Sequence, residues 1–291
     1  MTDAPHVISG LAAIAPRYEA IFCDVWGVIH NGQRSFPLAC DALCRAQAET
    51  GAPVILVSNA PRPAEDVKPQ LRALMVPDAA WASFVTSGDA TRAEIAKRVP
   101  GPVMTIGPEK DNPIYAGLTL DFAGPDQAAF ISCTGLVDDE TETPADYRDL
   151  LATAAARQLP MVCANPDRIV HRGEKVVYCA GALADLYLEL GGGPVIMAGK
   201  PFHAIYDLAL EEAARLLGRP VARDKVLAIG DGLPTDVAGA HAQGIDCLFI
   251  AGGIHGAETL GAEGQVILPA VKALLADAGL GAAYVASHLS W

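Results

Sequence analysis

Short, continuous apolar runs alternate with alanine-rich amphipathic stretches along much of the chain. The runs are AIFCDV (20–25), PVILVSN (53–59), SFVTSG (83–88), KVLAIGD (225–231) and CLFIAGG (247–253). Such runs are typical of strands that are buried on both faces of a parallel sheet. The stretches between them predict helices near 38–50, 64–75, 89–98, 202–217 and 234–243. The alternation predicts an α/β fold with a doubly wound parallel sheet, in which ligands bind beyond the carboxyl ends of the strands.

The middle of the chain has a different pattern of predicted elements, with shorter strands and more turn-forming residues. The predicted strands there are VMTIG, LTLDF, AAFISCT, PMVCA and KVVYC, and two helices are predicted near 144–158 and 181–190. Gly-Pro and Asn-Pro pairs punctuate this region, and the run Gly191–Gly193 before Pro194 indicates a flexible return. We therefore expect a second α/β domain over 89–196, inserted into a core domain made of 1–88 and 197–291.

Composition excludes several classes of protein. The 291 residues are 51% hydrophobic and 19% charged, which is typical of a folded chain with a large core. A net charge of −13 leaves no basic face for nucleic acid, and no apolar stretch is long enough to cross a membrane. The first residues lack the pattern of a signal peptide, and the seven cysteines are scattered without a C-x-x-C pair. We expect a cytoplasmic protein with reduced thiols.

Polar residues follow the predicted strands at their carboxyl ends. Asp24 ends the first run, Ser58 and Asn59 end the second, and Asp231 ends the fourth. A carboxylate at the end of an apolar strand is costly unless it has a partner. Asp236 follows Asp231 across a tight turn that contains glycine and proline. Carboxylates without a nearby histidine or cysteine suit a hard cation such as Mg²⁺.

One lysine stands out after the glycine-rich return. Lys200 lies between Gly199 and Pro201, directly before a predicted helix. A solvated loop lysine and a lysine that points at an anion fit this residue equally well, and the lysine alone does not decide between them.

Together these motifs resemble the haloacid dehalogenase superfamily, in particular its type IIA branch of p-nitrophenyl-phosphate, pyridoxal-phosphate and sugar phosphatases. The order matches over about residues 18–256: Asp24, Ser58, Lys200 and then the Gly230–Asp236 segment. The resemblance implies a Rossmann-like core with an α/β cap inserted between the second and third motifs. It also implies a small phosphorylated metabolite as substrate, and the ability to form a homodimer through the cap.

Family roles carry over to these residues one at a time. The resemblance implies that Asp24 is a nucleophile that takes the phosphoryl group, and that Ser58 and Asn59 bind phosphoryl oxygens. Lys200 would bind phosphate, offset its charge and orient Asp24. Asp24, Asp231, Asp236 and the backbone carbonyl of Trp26 would hold Mg²⁺.

The sequence departs from the family at Trp26. Most phosphatases of this family carry a second aspartate two residues after the nucleophile, where it serves as general acid and base. Residues two apart on a strand face the same way, so we expect Trp26 to face the site. Loss of such an acid typically costs about 10²–10⁴ in rate. His30, six residues after Asp24, is a candidate substitute proton donor, although a loop histidine near the site is the simpler interpretation.

Three functions are compatible with this departure. The first, which we favour, is a Mg²⁺-dependent phosphatase restricted to substrates with good leaving groups or served by a borrowed donor. The second is a catalytically weak phosphometabolite-binding protein. The third is a dehalogenase, whose halide leaves without a proton. Because dehalogenases need no metal, the retained pair Asp231 and Asp236 favours phosphate chemistry.

Overall fold

The computed structural model describes residues 5–172 and 175–291. For residues 170–172 and 175 it describes the backbone alone. The described strands, in chain order, are β1 (His6–Val7), β2 (Ala20–Cys23), β3 (Val54–Ser58), β4 (Ser83–Thr86), β5 (Val103–Ile106), β6 (Phe130–Cys133), β7 (Met161–Cys163), β8 (Ile169–Arg172), β9 (Lys175–Tyr178), β10 (Val195–Met197), β11 (Val226–Gly230), β12 (Asp246–Ile250) and β13 (Tyr284–Ala286).

The α-helices lie mostly between these strands. They are α1 (Pro37–Thr50), α2 (Ala64–Ala73), α3 (Ser87–Ala96), α4 (Arg148–Ala156), α5 (Ala180–Glu189), α6 (His203–Leu217), α7 (Ala238–Gln243), α8 (Gly256–Thr259) and α9 (Leu268–Asp277). A π-helical turn, Leu233–Val237, directly precedes α7.

The described chain forms two compact units. The first comprises the residues up to Ser58 together with Val67–Val85 and Lys200–Trp291, and the second comprises Asn59–Asp66 and Thr86–Gly199. In sequence, the second unit is thus inserted into the first. We propose that it corresponds to the predicted inserted domain.

The first unit is built on a seven-stranded sheet in the order β1-β13-β12-β11-β2-β3-β4. The pairs from β1 to β3 along this order are parallel. From β2 the chain proceeds to β3 and β4 on one side, and from β11 to β12 and β13 on the other. The direction of winding therefore reverses between β2 and β11, which is where doubly wound sheets bind their ligands. The predicted Rossmann-like α/β class is confirmed.

The central strands form where the sequence is continuously apolar. All residues of β2 and β11 are buried, and so are the first four residues of β3. Side chains on both faces of these strands are covered, so alternation of polar and apolar residues is absent, as the sequence indicates.

The second unit contains a four-stranded parallel sheet in the order β10-β7-β6-β5, and an antiparallel hairpin of β8 and β9. Helices α4 and α5 contribute Leu151 and Tyr187 to a core that also contains Ile131 of β6 and Met161 of β7. A smaller cluster contains Ile95, Val103, Phe130 and Val162. The unit therefore has an apolar core of its own.

One predicted strand of the second unit is wrong. LTLDF (118–122) forms no strand, and only Phe122 makes an isolated bridge, to Val103. Leu118 and Leu120 are partly buried against the smaller cluster. The apolar alternation thus reflects side-chain packing, while backbone pairing is limited to the ends of the segment, for example Val103 N to Asp121 O at 2.8 Å.

The glycine run is also different from the prediction. A Cβ on Gly192 would lie 2.5 Å from the ring of Tyr187, and a Cβ on Gly193 would lie 2.3 Å from the carbonyl oxygen of Gln158. These glycines are needed for close packing, and the chain continues at once into β10. The run is a packed connection and not a flexible return.

Two general features bear on the environment of the protein. No helix among the described residues is long and apolar enough to cross a membrane. All seven cysteines are free thiols, including Cys133 and Cys163, which are paired across β6 and β7.

Replacement of Tyr187 by phenylalanine should destabilise the second unit. The fully buried hydroxyl donates to Leu159 O at 2.6 Å and accepts from Gly193 N at 3.2 Å. Without it, these backbone groups lose a buried partner, at a cost of about 1–3 kcal/mol. We expect a lower denaturation midpoint for Tyr187→Phe, while Tyr178→Phe, at an exposed position of the same unit, stays within about 0.5 kcal/mol of the native protein. Equal midpoints for the two variants would contradict this account.

Candidate active site

The site of interest lies at the carboxyl ends of β2 and β11. Asp24 follows β2 and Asp231 follows β11, and the last residue of β2, Cys23, is paired with Ile229. The backbone N–H of Asp24 donates to Ile229 O at 2.8 Å, which extends the ladder by one bond. Because the two strands are parallel neighbours, both carboxylates leave the sheet at the same edge.

A third carboxylate joins them from the turn after β11. One oxygen from each of Asp24, Asp231 and Asp236 lies within 4.8 Å of the others. Asp231 and Asp236 are buried, and the side chain of Asp24 is 11% exposed. The structure thus brings together the three carboxylates that the sequence predicted.

Lys200 is the cation of this cluster. Its ammonium donates to Asp24 Oδ1 at 2.5 Å and to Asp236 Oδ1 at 2.7 Å, and the residue is only 3% exposed. Of the two interpretations of this lysine, the structure shows the buried, anion-facing one. When all three carboxylates are ionised, they and the ammonium group of Lys200 leave two negative charges in a buried space.

Local backbone geometry holds Asp236 in place. The N–H of Gly232 donates to Asp236 Oδ2 at 3.0 Å. In the π-helical turn, the N–H of Val237 donates to Gly232 O at 3.1 Å. A Cβ on Gly230 would lie 2.1 Å from Asp236 Cγ, so only glycine lets the carboxylate approach the strand end. The predicted helix start at 234 is therefore a wider π turn, because Asp236 folds back toward the strand.

Asp231 is held from two other segments. The N–H of Ile254 donates to its Oδ2 at 2.9 Å. A Cβ on Gly27 would lie 2.2 Å from Asp231 Oδ2, and a Cβ on Gly253 would lie 2.1 Å from the same oxygen. Gly27 also has φ +84°. Sequence reasoning missed these supporting residues. The signal that could have found them is the glycine that follows each of two predicted acid-bearing or buried strand ends, Gly27 after AIFCDV and Gly253 in CLFIAGG.

Burial and mutual repulsion perturb the titration of the cluster. Burial, together with the charge of Asp236, raises the pKa of Asp24 to about 8 and the pKa of Asp231 to about 6. Burial lowers the pKa of Lys200, but the charges of Asp236 and Asp24 raise it more, so its pKa lies above the ordinary value. Lys200 therefore stays protonated, and the carboxylates carry an excess of negative charge that favours a further cation.

The donor set fits a divalent metal ion. Carboxylate oxygens are hard ligands of the kind that Mg²⁺ prefers, and no histidine or cysteine belongs to the cluster of three acids. Asp24, Asp231 and Asp236 would hold the ion. The buried excess of negative charge is the structural reason to expect one.

Ser58 and Asn59, the other predicted phosphate ligands, lie at and just after the end of β3. Ser58 is the last residue of β3, two residues after Leu56, which is paired with Cys23. It therefore leaves the sheet at the same edge as Asp24. Asn59 belongs to the second unit, where its Nδ2 lies 3.4 Å from Asp167 Oδ1 as a donor.

Trp26 does not lie on the extended strand that its prediction assumed, and its orientation toward the site stays a prediction. Strand β2 ends at Cys23, so Asp24 and Trp26 do not lie on one extended strand and the rule of alternating faces does not apply. Instead, Trp26 forms a bridge with His30 in a compact turn, and its side chain is half-exposed.

His30 is buried within that same turn. Its Nδ1 accepts a hydrogen bond from Gly32 N at 3.0 Å, and its carbonyl accepts one from Gly27 N at 2.8 Å. Burial lowers the pKa of His30 below its ordinary value. The histidine is therefore neutral near pH 7, and these contacts stabilise the loop.

Comparison with known proteins agrees with this geometry. A family model of haloacid dehalogenase-like hydrolases matches residues 21–119, and a second model of the same kind matches residues 197–274. A haloacid dehalogenase-like hydrolase from Brucella suis 1330 is 42% identical, with 97% of this chain and 100% of that chain covered and a TM-score of 0.81. Comparison with curated proteins gave no significant match.

More distant structures share the fold. A p-nitrophenyl phosphatase from Archaeoglobus fulgidus is 22% identical over 92% of this chain and 95% of that chain, with a TM-score of 0.71. A glycerol phosphate phosphatase from Mycobacterium tuberculosis, in complex with magnesium, is 24% identical over 83% of this chain and 70% of that chain, with a TM-score of 0.64.

The fold thus belongs to the doubly wound α/β class, with a cluster of carboxylates where the winding of its sheet reverses. The chain belongs to the haloacid dehalogenase-like family of hydrolases.

Stabilisation by Mg²⁺ should increase with pH. The pKa values of Asp24 (about 8) and Asp231 (about 6) lie above the ordinary carboxyl value of 3.8. The native metal-free protein therefore binds more protons than the unfolded chain between about pH 4 and 8, so its stability falls as pH rises through this window. A bound divalent ion removes that loss. We expect Mg²⁺ to raise Tm by about 3 °C more at pH 8 than at pH 5.5. NaCl of equal ionic strength is the control, and a pH-independent effect would contradict the prediction.

Gly27→Ala should abolish this stabilisation. The added methyl would lie 2.2 Å from Asp231 Oδ2 and would displace that carboxylate. Gly51→Ala is a matched control, since Gly51 has φ +74° with nothing within 4 Å of its Cβ position. Both variants carry the strain of positive φ, about 1 kcal/mol. Only Gly27→Ala should lose the Tm gain with Mg²⁺, and a full gain in that variant would refute the role of Gly27.

Proposed function

We propose that the protein is a Mg²⁺-dependent phosphatase of small phosphorylated metabolites that works through an aspartyl phosphate on Asp24. The observation that carries this proposal is the contact between Lys200 and Asp24 inside the buried carboxylate cluster. A nucleophilic carboxylate and an anionic phosphate repel each other, and a buried ammonium beside the nucleophile offsets that repulsion.

The proposed reaction has two displacements at phosphorus. First, an oxygen of Asp24 forms a bond to phosphorus while the bond to the ester oxygen breaks, and the leaving oxygen departs with the electron pair. Second, the oxygen of a water molecule forms a bond to phosphorus while the bond from phosphorus to the Asp24 oxygen breaks, so Asp24 leaves as a carboxylate and both protons of the water leave on the released phosphate. Lys200 already engages Asp24 Oδ1, so Oδ2 is the oxygen we assign as nucleophile.

The other residues position these groups. Asp236 is engaged by Lys200 at Oδ1 and by Gly232 N at Oδ2, so it would orient the lysine as well as offer an oxygen to the metal ion. Ser58 and Asn59 would donate to the phosphoryl oxygens. When bound by Asp24, Asp231, Asp236 and the Trp26 carbonyl, Mg²⁺ would offset the charge of the transferred phosphoryl group.

Trp26 sets the range of substrates in this proposal. Its indole offers no carboxyl proton for the departing oxygen. His30 is a poor substitute, because it is buried, its Nδ1 is occupied by Gly32 N, and its pKa is lowered. The leaving oxygen must therefore depart as an anion, which aryl and acyl phosphates allow far more readily than alkyl phosphates.

Related structures support phosphate chemistry. The p-nitrophenyl phosphatase and the magnesium-bound glycerol phosphate phosphatase share this fold. The main alternative is a phosphometabolite-binding protein with weak catalysis, which the tryptophan at position 26 favours. A dehalogenase is less well supported, because its reaction gives no reason for three converging carboxylates.

Three further points belong to the same proposal. The second unit would serve as the cap domain of the enzyme, and the chain would form a homodimer through it. The protein would act in the cytoplasm, where its seven free cysteines suit a reducing environment.

Asp24→Asn should abolish turnover while it preserves the fold. The amide is nearly isosteric with the carboxylate but is a poor nucleophile, so kcat with p-nitrophenyl phosphate should fall at least about a thousandfold. Asp41→Asn, at an exposed position of α1, should keep full activity. Mass spectrometry after an acid quench should detect a phosphoryl group on native Asp24. Turnover that survives Asp24→Asn would move the chemistry elsewhere.

Trp26→Asp should widen the substrate range. It restores an acid at this position, so the ratio of kcat/KM for p-nitrophenyl phosphate over glycerol phosphate should fall about 10- to 100-fold. Trp26→Asn is the matched control, since it removes the indole and supplies no acidic proton. The ratio cancels any loss of folded protein.

Two outcomes would contradict the missing acid as the cause. One is efficient hydrolysis of glycerol phosphate by the native protein. The other is an equal change of the ratio in Trp26→Asn and Trp26→Asp.

A further inference from the structure

Trp26 lies in a closed backbone turn, and half of the residue surface is exposed. The turn that carries it is closed by Gly27 N to His30 O at 2.8 Å and by the bridge between Trp26 and His30. A Cβ on Gly32, which has φ +83°, would lie 3.4 Å from Trp26 Nε1. The edge of the indole therefore lies over the backbone of Gly32, while 50% of the residue surface remains exposed.

The backbone next to this indole borders the carboxylate cluster. Trp26 is two residues from Asp24, and its neighbour Gly27 packs so closely that a Cβ there would lie 2.2 Å from Asp231 Oδ2. The backbone that carries the indole is thus in contact with one of the proposed metal ligands.

Two other exposed apolar residues are attached to the same cluster. Phe202 is 39% exposed and follows Lys200 by two residues. Ile254 is 55% exposed, and its N–H donates to Asp231 Oδ2. Single exposed apolar residues are common, but three whose backbones lie within two residues of a cluster member, or bond to one, are compatible with an apolar border.

We propose that Trp26 is a specificity-determining residue that stacks on an aromatic ring of the substrate, and that the substrate class is phosphorylated aromatic or heteroaromatic compounds. This inference rests on the proposed function of the carboxylate site. A supported, half-exposed indole offers a rigid planar surface, and aromatic pairs gain free energy beyond the area they bury. Sugar and glycerol phosphates would need polar partners, which Trp26, Phe202 and Ile254 do not supply through their apolar side chains.

The effect of stacking can be measured separately from the effect of leaving-group ability. The missing acid favours aryl esters through the stability of the departing anion, which affects only the chemical step. Stacking acts on binding, so it should also appear with ligands that cannot react.

The test uses benzylphosphonate and cyclohexylmethylphosphonate, whose C–P bonds are not hydrolysed by this chemistry. They are similar in size, and only the first has a planar π-system. With Mg²⁺ present, calorimetry should show that the native protein binds benzylphosphonate about three- to tenfold more tightly. Trp26→Phe should keep most of this preference, and Trp26→Leu should reduce it to about one.

Phe122→Leu is the matched control. Phe122 is 61% exposed and belongs to the second unit, so its replacement should leave the preference unchanged. Equal affinities of the native protein for the two phosphonates would overturn the proposal. So would a preserved preference in Trp26→Leu, an equal loss in Phe122→Leu, or no binding of either compound.

Turnover of p-nitrophenyl phosphate by the native protein is measured in parallel. A preference for benzylphosphonate without any turnover supports the stacking role of Trp26 and contradicts the proposed catalysis. Turnover without the preference supports catalysis and overturns the stacking role.

Discussion

Repulsion among three buried carboxylates is the constraint around which the first unit is organised. Asp24, Asp231 and Asp236 share one space with a single ammonium group, that of Lys200. Such an arrangement costs free energy unless hydrogen bonds and cations offset it. The backbone N–H groups of Gly232 and Ile254 supply the hydrogen bonds. The remaining negative charge favours the binding of a further cation at the cluster.

Sheet topology makes this convergence possible without long loops. Asp24 and Asp231 are far apart in sequence, but the winding reverses between β2 and β11, so the two strands are neighbours that end at the same edge. Glycine at 27, 230 and 253 then removes the side chains that would otherwise keep the carboxylates apart. Topology places the acids, and glycine sets how closely they approach.

The sequence allowed the core and the acids to be predicted for simple reasons. Continuous apolar runs mark buried parallel strands, and an Asp at the end of such a run is too costly to be incidental. All five predicted core strands overlap observed ones, and β13 was missed because YVA is too short to stand out. LTLDF was misassigned because side-chain periodicity reports packing and not backbone pairing.

The surroundings of the acids were harder to predict. Strand periodicity was no guide to the orientation of Trp26, because β2 ends at Cys23, one residue before Asp24, and sequence periodicity does not show where pairing stops. The close packing of Gly193 depends on Gln158, which is remote along the chain. This contact is tertiary, so a local pattern carries no record of it.

The loop after Asp24 carries two features that bear on the substrate, the buried His30 and the half-exposed Trp26. His30 is buried to hold the turn, and its lowered pKa makes it a poor proton donor. The same turn fixes Trp26 beside the acids with half its surface exposed. If the protein is the proposed phosphatase, an aryl phosphate would fit both features, because its leaving group departs without a proton and its ring can stack on the indole. The proposed chemistry and the proposed recognition then favour the same class of substrate, for two physically independent reasons.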